Sequence, residues 1–419
     1  MSDQDAALDA SLNSSLDSSL DCRPIKKSWL DEAAVRLIEA RLSGGIVGTL
    51  RLTLPSGRSV EIGTGDDIKA ALTLKSYALA LRAVRRGTIG FADSYMAEEI
   101  ETPDIGAVMK FFLANFAEFD SAGRGWFRTR IFDRIGHRRR ANTRAGSRRN
   151  IAAHYDLGNA FYALWLDPGM TYSSGLYEAG TKTLEEAQEA KLRLIEEALP
   201  SKAGDRVLEV GCGWGGVAER LASAGIDVTA ITVSREQFSY ARARMAQAGV
   251  EDRAEIRFQD YRDVTETFEG IVSVEMIEAV GEDHWPVYFA QLRDRLRPGG
   301  SAVVQAITIG EESFESYRRH PDFIQRYIFP GGMLPSVGIM RRQAQAHGLT
   351  VEVVRQFGGS YAETLRAWRR NFLEAWPQIE AMGFDERFRR LWIYYLTYCE
   401  VGFDSGLIDV GVYRFRRID

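Results

Sequence analysis

Leu208-Glu209-Val210-Gly211-Cys212-Gly213-Trp214-Gly215-Gly216 is the stretch that decides the fold of this chain. Arg206 to Val210 reads as a short buried strand, and the glycines that follow read as a turn opening a helix. Glycines at such a turn let the backbone approach a ligand closely and leave the amides of the helix N-terminus unblocked. Taken alone the loop has two readings, because Gly211, Gly213 and Gly216 also satisfy the G-x-G-x-x-G dinucleotide pattern.

Outward from the loop the same alternation recurs. Asp227 to Ile231, Glu255 to Gln259, Ile271 to Val274 and Ser301 to Ile307 are short apolar or β-branched runs separated by helical segments. Strands of this kind alternating with helices predict an α/β, doubly wound parallel sheet covered on both faces. The section from Tyr361 to Asp404 reads as helical and aromatic-rich, with Leu365, Trp368 and Phe372 on one stripe.

Residues downstream discriminate between the two ligands. A dinucleotide site wants an acid at the end of the second strand, to hold ribose hydroxyls. Here that strand ends Ile231-Thr232-Val233-Ser234, and Asp227 lies at its wrong end. After the third strand comes Gln259-Asp260-Tyr261-Arg262, where an acid can accept from an adenine amino group while an aromatic ring packs nearby. Leu296-Arg297-Pro298-Gly299-Gly300 precedes a further apolar strand. Glycine loop, Asp260 and this last turn, in that order, point to a class I methyltransferase domain over residues 151–419 that uses S-adenosylmethionine.

Upstream, residues 1–26 are Ser-, Asp- and Leu-rich and read as a disordered tail. A smaller α+β unit is expected over residues 27–120. It would hold a helix from Leu30 to Leu42, strands at Val47 to Leu54 and Arg58 to Ile62 around Pro55-Ser56-Gly57, and a helix from Met109 to Phe119. Residues 121–150 form a basic amphipathic linker, with ten arginines between Arg124 and Arg149 against the single acid Asp133. Trp126 lies in this stretch, and Phe127, Ile131 and Ile135 share a helical face there, which suits an anionic membrane surface. A solvated linker is the plainer reading. Nucleic acid is disfavoured, because the chain of 419 residues carries a net charge of −5 and no nucleic-acid motif accompanies the patch.

Cys22, Cys212 and Cys399 are far apart and share no ligand spacing with the five histidines, which argues against a disulfide scaffold or a zinc site. Cys212 reads as a small packing residue rather than a nucleophile. A reducing cytoplasm is the expected compartment. Met1 to Asp21 lacks the pattern of a secretory signal, and no run approaches the ~18 apolar residues a membrane helix needs. Contact with lipid is therefore expected from the side, at the inner face of the membrane.

With these segments assembled, the chain resembles the cyclopropane fatty acid synthase family from about residue 150 to the C-terminus, and more weakly in its N-terminal unit. The matching strings are His154-Tyr155-Asp156-Leu157-Gly158-Asn159, Leu166-Asp167-Pro168 with Thr171-Tyr172-Ser173, Asp260-Tyr261-Arg262-Asp263, Tyr327-Ile328-Phe329-Pro330-Gly331-Gly332 with Leu334-Pro335-Ser336, and Tyr361 with Thr364-Leu365 and Ala367-Trp368. The resemblance implies methylation of a C=C bond in unsaturated phospholipid acyl chains, followed by proton loss to a bicarbonate held in the active site. By that resemblance Glu278, Tyr361 and the backbone at Ile307 belong to the anion cradle. The family's Cys and His positions are Ser174 and Gln305 here, and Ala279 follows Glu278 where many members have His. Serine and glutamine still donate hydrogen bonds to an anion. Displacement of that anion would allow a methylene- or methyl-branched product in place of a cyclopropane. Cofactor contacts implied by the resemblance are Tyr172, Ser173, Gly211, Gly213, Thr232, Gln237, Asp260 and Tyr261, and the N-terminal unit is implied to bind lipid and to hold a homodimer. Glu278 as a plain cap, Tyr361 as a core tyrosine, methylation of a soluble small molecule, and a catalytically weak lipid-binding homologue are the competing readings.

Overall fold

A computed structural model describes residues 45–116 and 157–418, except 80, 81 and 83–85, together with 31, 32, 35, 36 and 118. The expected tail, the basic stretch from Arg124 to Arg149, His154 and most of the expected helix from Leu30 to Leu42 lie outside these residues.

The first unit is a four-stranded sheet in the order β2-β1-β3-β4, built from β1 (Thr49–Thr53), β2 (Ser59–Ile62), β3 (Lys69–Leu74) and β4 (Ile100–Glu101). The β1–β2 hairpin turns where Pro55-Ser56-Gly57 predicts it, with Gly57 at φ +86°. Two helices pack against this sheet: α1 (Thr88–Met96) on β4, and α2 (Ile105–Ala114) on β3 and β1. The second begins four residues earlier than the apolar spacing from Met109 suggests. Asp104 supplies the reason, since its carboxylate accepts from the amides of Gly106 at 2.8 Å and Ala107 at 3.1 Å and caps the first turn.

The larger unit is a seven-stranded sheet in the order β10-β11-β9-β8-β5-β6-β7. Its members are β5 (Arg206–Val210), β6 (Asp227–Thr232), β7 (Ala254–Phe258), β8 (Phe268–Val274), β9 (Leu296–Ile309), β10 (Leu349–Gln356) and β11 (Ile408–Arg417). β5 through β9 form parallel pairs, whereas β11 runs antiparallel to both β9 and β10. The chain leaves β5 toward β6 and β7, then returns to lay β8 on the other side of β5. That reversal is a topological switch point, and ligands of such sheets bind at the carboxyl ends of the strands there. β9 is longer than the expected run Ser301 to Ile307, and β10 and β11 are additions to the expected sheet.

Helices α3 (Leu184–Ala198), α4 (Gly216–Ser223), α5 (Arg235–Ala248), α6 (Trp285–Arg295), α7 (Val337–Ala346), α8 (Gly358–Glu374) and α9 (Glu386–Asp404) belong to this unit, together with the helices Asn159–Ala163, Glu311–Arg319 and Trp376–Ala381. α3 starts in a capping box between Thr183 and Glu186. Phe161, Trp165, Trp368, Phe372 and Trp392 are buried together between α8, α9 and the segment before the sheet. Each buried side chain of phenylalanine size contributes roughly 1.5–3 kcal/mol of transfer free energy. α9 also docks the first unit. Lys110 Nζ reaches Asp404 Oδ2 at 2.8 Å, and the Arg390 guanidinium donates to the carbonyls of Tyr95 at 3.1 Å and Ile100 at 3.4 Å. Among the described residues no helix is long and apolar enough to cross a membrane.

Candidate active site

One cavity of about 580 Å³ opens at the switch point. It runs from the glycine loop after β5, past Glu275 and Glu278 after β8, to Phe91, Phe112 and Phe116 of the N-terminal unit. Its two ends have different chemistry.

The loop end is polar. Gly211, Gly213 and Gly215 hold φ of +81°, +52° and +88°, a region that side chains with a Cβ avoid. A Cβ on Gly211 would stand 3.2 Å from Met276, so the loop also needs the missing side chain for space. At the end of β6, Thr232 Oγ1 donates to Gln237 Oε1 at 2.9 Å, and both residues are buried. At the end of β7, the Asp260 carboxylate is gripped by Arg262, through Nε at 2.8 Å and Nη2 at 2.7 Å. The Tyr261 ring lies beneath that guanidinium, 5.4 Å from ring centre to Cζ. Tyr172 shares a hydroxyl bond of 2.8 Å with Tyr395, and Ser173 Oγ accepts from Lys191 Nζ at 2.8 Å. The structure thus lines one cavity with Tyr172, Ser173, Gly211, Gly213, Thr232, Gln237, Asp260 and Tyr261.

Glu209 and Lys191 are lining residues that sequence reasoning missed. Glu209 Oε2 is buried without a hydrogen-bond partner, and burial raises its pKa to about 8. Lys191 is buried too, and its pKa falls to about 8, with Glu275, Asp167 and Glu209 holding it up. An orphaned carboxylate oxygen facing a glycine loop suits a ligand that carries an ammonium group, which S-adenosylmethionine does. Cys212 is 5% exposed and burial pushes its thiol well up, the state of a packing residue.

The other expected site residues converge, but on a carboxylate that sequence reading did not single out. Glu275 Oε1 accepts from the Ser174 amide at 2.8 Å and from Gln305 Nε2 at 2.7 Å. Its Oε2 accepts from the Tyr361 hydroxyl at 2.7 Å. Ser174 therefore contributes its backbone, while its hydroxyl turns to the Gly175 carbonyl at 2.8 Å. Glu275 has φ +48°, unusual for a residue with a side chain. Burial raises its pKa, and the bonds from Tyr361, Ser174 and Gln305 only partly offset this. Glu278, one turn on, accepts from the Ile307 amide at 2.5 Å, and its Oε2 has no partner. Burial, with the Glu275 charge beside it, raises the Glu278 pKa to about 8.

Aromatic faces enclose this pair. Tyr361 stacks on Phe403 at 4.5 Å and meets Trp368 edge-on at 6.0 Å, while Tyr172 lies 5.2 Å from Trp368. An electron-rich, water-poor wall beside two carboxylates can stabilise a developing positive charge and then remove a proton.

A seven-stranded sheet of this order, with this loop at its switch point, defines a class I S-adenosylmethionine-dependent methyltransferase. Comparison with known proteins narrows the class. The sequence pattern of the mycolic acid cyclopropane synthetase family matches residues 142–413. Tuberculostearic acid methyltransferase UfaA1 of Mycobacterium tuberculosis is 39% identical over 90% of each chain. The cyclopropane-fatty-acyl-phospholipid synthase of Escherichia coli is 36% identical, over 85% of this chain and 90% of its own. Mycolic acid cyclopropane synthase CmaA1, solved with SAH and CTAB, superposes with a TM-score of 0.60 at 30% identity, covering 64% of this chain and 98% of its own. The chain belongs to the mycolic acid cyclopropane synthetase family of methyltransferases, and S-adenosylmethionine is its cofactor.

Proposed function

We propose that this enzyme methylates a C=C bond in the acyl chain of a membrane phospholipid, leaving one extra carbon as a cyclopropane or a methylene branch. The observation that carries the reading is Glu275, a buried carboxylate held by three donors in an aromatic cavity. The far end of that cavity is apolar and reaches the N-terminal unit at Phe91, Met109 and Phe112, which suits an alkyl chain.

Tyr172, Ser173, Gly211, Gly213, Thr232, Gln237, Asp260 and Tyr261 would hold the cofactor, with Glu209 toward its ammonium group. When bound, S-adenosylmethionine supplies an electrophilic methyl carbon and a thioether leaving group. Transfer of that carbon to the alkene, with the thioether leaving, would put a positive charge on the chain carbon beside the new bond. Tyr361, Phe403 and the Glu275 carboxylate stabilise that charge. Glu275 then accepts a proton from the new methyl group. The electrons of the broken C–H bond close the ring directly, or form a C=CH2 once a 1,2-hydride shift has carried the charge to the methyl-bearing carbon, so one proton leaves in either case.

The bicarbonate implied by the resemblance has a resident substitute in this reading. Ser174 N, Gln305 Nε2 and Tyr361 Oη, three donors of the cradle, already serve Glu275. The base is part of the chain, and no dissolved anion is required. Access to the bilayer belongs to the basic stretch from Arg124 to Arg149, working at the inner face of the membrane, with a homodimer formed through the N-terminal unit.

The test is incubation of the purified protein with methyl-labelled cofactor and vesicles of monounsaturated phosphatidylglycerol, then mass spectrometry of the fatty esters. Label in the acyl chain as one added CH2 is the expected result, and hydrogenation separates a reducible methylene from a ring. Cofactor binding without labelled lipid would overturn the reading in favour of a soluble substrate or a weak homologue.

A further inference from the structure

Tyr327 stands where the two units meet. It belongs to a π-helix, Ile324–Ile328, a rare arrangement that tends to occur at functional positions. Its hydroxyl donates to Asp93 on α1, a carboxylate only 5% exposed that also receives Arg86. The strap that contains the π-helix is fixed at its start by α9. Tyr398 donates to Asp322 Oδ2 at 3.1 Å, and the Phe323 ring lies 4.5 Å from that of Tyr394.

The far end of the strap enters the active site. Gln325 Nε2 donates to the Gly332 carbonyl at 3.0 Å, and the Met333 amide donates to the Glu278 carbonyl at 2.8 Å. Gly332 fits so closely that a Cβ there would stand 3.0 Å from the Phe329 carbonyl oxygen and 3.2 Å from that of Glu278. Direct contacts therefore run from Asp93, through Tyr327 and the strap, to the backbone of Glu278. That backbone sets where the Glu278 carboxylate meets the Ile307 amide.

We propose that Tyr327 is a positioning residue, through which docking of the N-terminal unit holds Glu278 in register with Glu275. The proposal rests on the reading of these two carboxylates as active-site groups. An acyl chain entering along Phe91 and Phe112 touches α1 and α2, the elements that also carry or neighbour Asp93. The same docking that completes the chain's binding wall thus completes the carboxylate pair.

The experiment uses the full-length protein and its Tyr327→Phe and Asp93→Ala variants. It measures kcat with monounsaturated phosphatidylglycerol vesicles, KM for S-adenosylmethionine, and hydrogen exchange residue by residue. The expected kcat loss is on the order of ten- to a hundredfold, the scale of a small misplacement at a reacting centre. KM for the cofactor stays unchanged, because the glycine loop lies at the other end of the cavity. Exchange of the Met333 amide speeds up while that of Ala254–Phe258 does not, and the double variant is no worse than the poorer single one. Two results would overturn the proposal: parental kcat with parental Met333 exchange, or a uniform rise in exchange with kcat and KM worsening together. Were the parent inactive on lipid, the function proposed above would fail, and the exchange measurement alone would decide the coupling.

Discussion

Glu275 combines two costs in one residue. Its backbone sits at φ +48°, worth roughly 1–3 kcal/mol of strain in a non-glycine residue, and its carboxylate is buried. Such costs persist where chemistry needs the group. The sequence made Ser174, Gln305, Ile307, Glu278 and Tyr361 legible through matched strings, but not the residue on which three of them converge. An acid two places after Ser273 at a strand end carries no local signal, and a positive φ is invisible until the backbone is seen. Lys191 was hidden for a related reason, since it lies in a helix whose other charges face water. Glu278 yields a prediction with a definite sign. Its pKa is raised to about 8, so the folded state holds a proton that the unfolded chain has released above the ordinary carboxylate range. The penalty is absent below about pH 4.5 and grows until pH 8. The Tm of Glu278→Gln should therefore match that of the parent near pH 4.5 and exceed it increasingly up to pH 8. A constant difference across that range in thermal melts would contradict the buried, proton-holding carboxylate.

At the scale of elements, the strands were readable wherever burial on both faces makes an uninterrupted apolar run. β5 was foreseen to the residue, and β6, β7 and β8 within a few positions at either end. β10 and β11 were not, because β10 is largely exposed and β11 alternates charged with apolar residues. β11 pairs with β9 about a hundred positions away (Ile408 with Ile309) and β10 with β11 about sixty away (Val353 with Tyr413), and pairing at such distances leaves no local mark. The glycine loop was visible, yet its ligand was decided by Asp260 and by the missing acid at the end of β6. The loop carries its own prediction. Alanine at Gly211 must hold φ +81° and push against Met276, at a cost of roughly 1–3 kcal/mol when the loop is ordered around a ligand. S-adenosylhomocysteine binding to Gly211→Ala should weaken by about ten- to a hundredfold in calorimetry. Unchanged affinity would mean that the loop does not close on the cofactor.

For the whole molecule, charge and shape divide the work. The net charge of −5 makes general attraction to anionic lipid unfavourable, so any membrane binding must come from a local patch such as Arg124 to Arg149. Replacement of Arg138, Arg139 and Arg140 by Ala should reduce sedimentation with anionic vesicles at low salt, by an amount that shrinks as salt rises. Equal sedimentation of parent and variant would remove this stretch from membrane binding. The shared cavity was not legible in the sequence, because Phe91 and Phe112 come together with Tyr394 and Phe403 only through the docking of α9. The central claim is that the chain carries its own base. Its most direct test is the rate of methyl transfer to monounsaturated phosphatidylglycerol vesicles, by the parent and by Glu275→Gly, each with and without added bicarbonate. The parent should turn over at the same rate in both buffers, while Glu275→Gly should be inactive without bicarbonate and recover in part when the anion fills the vacated cradle. A parent that needs bicarbonate, or a Glu275→Gly enzyme that keeps the parental rate without it, would contradict the claim.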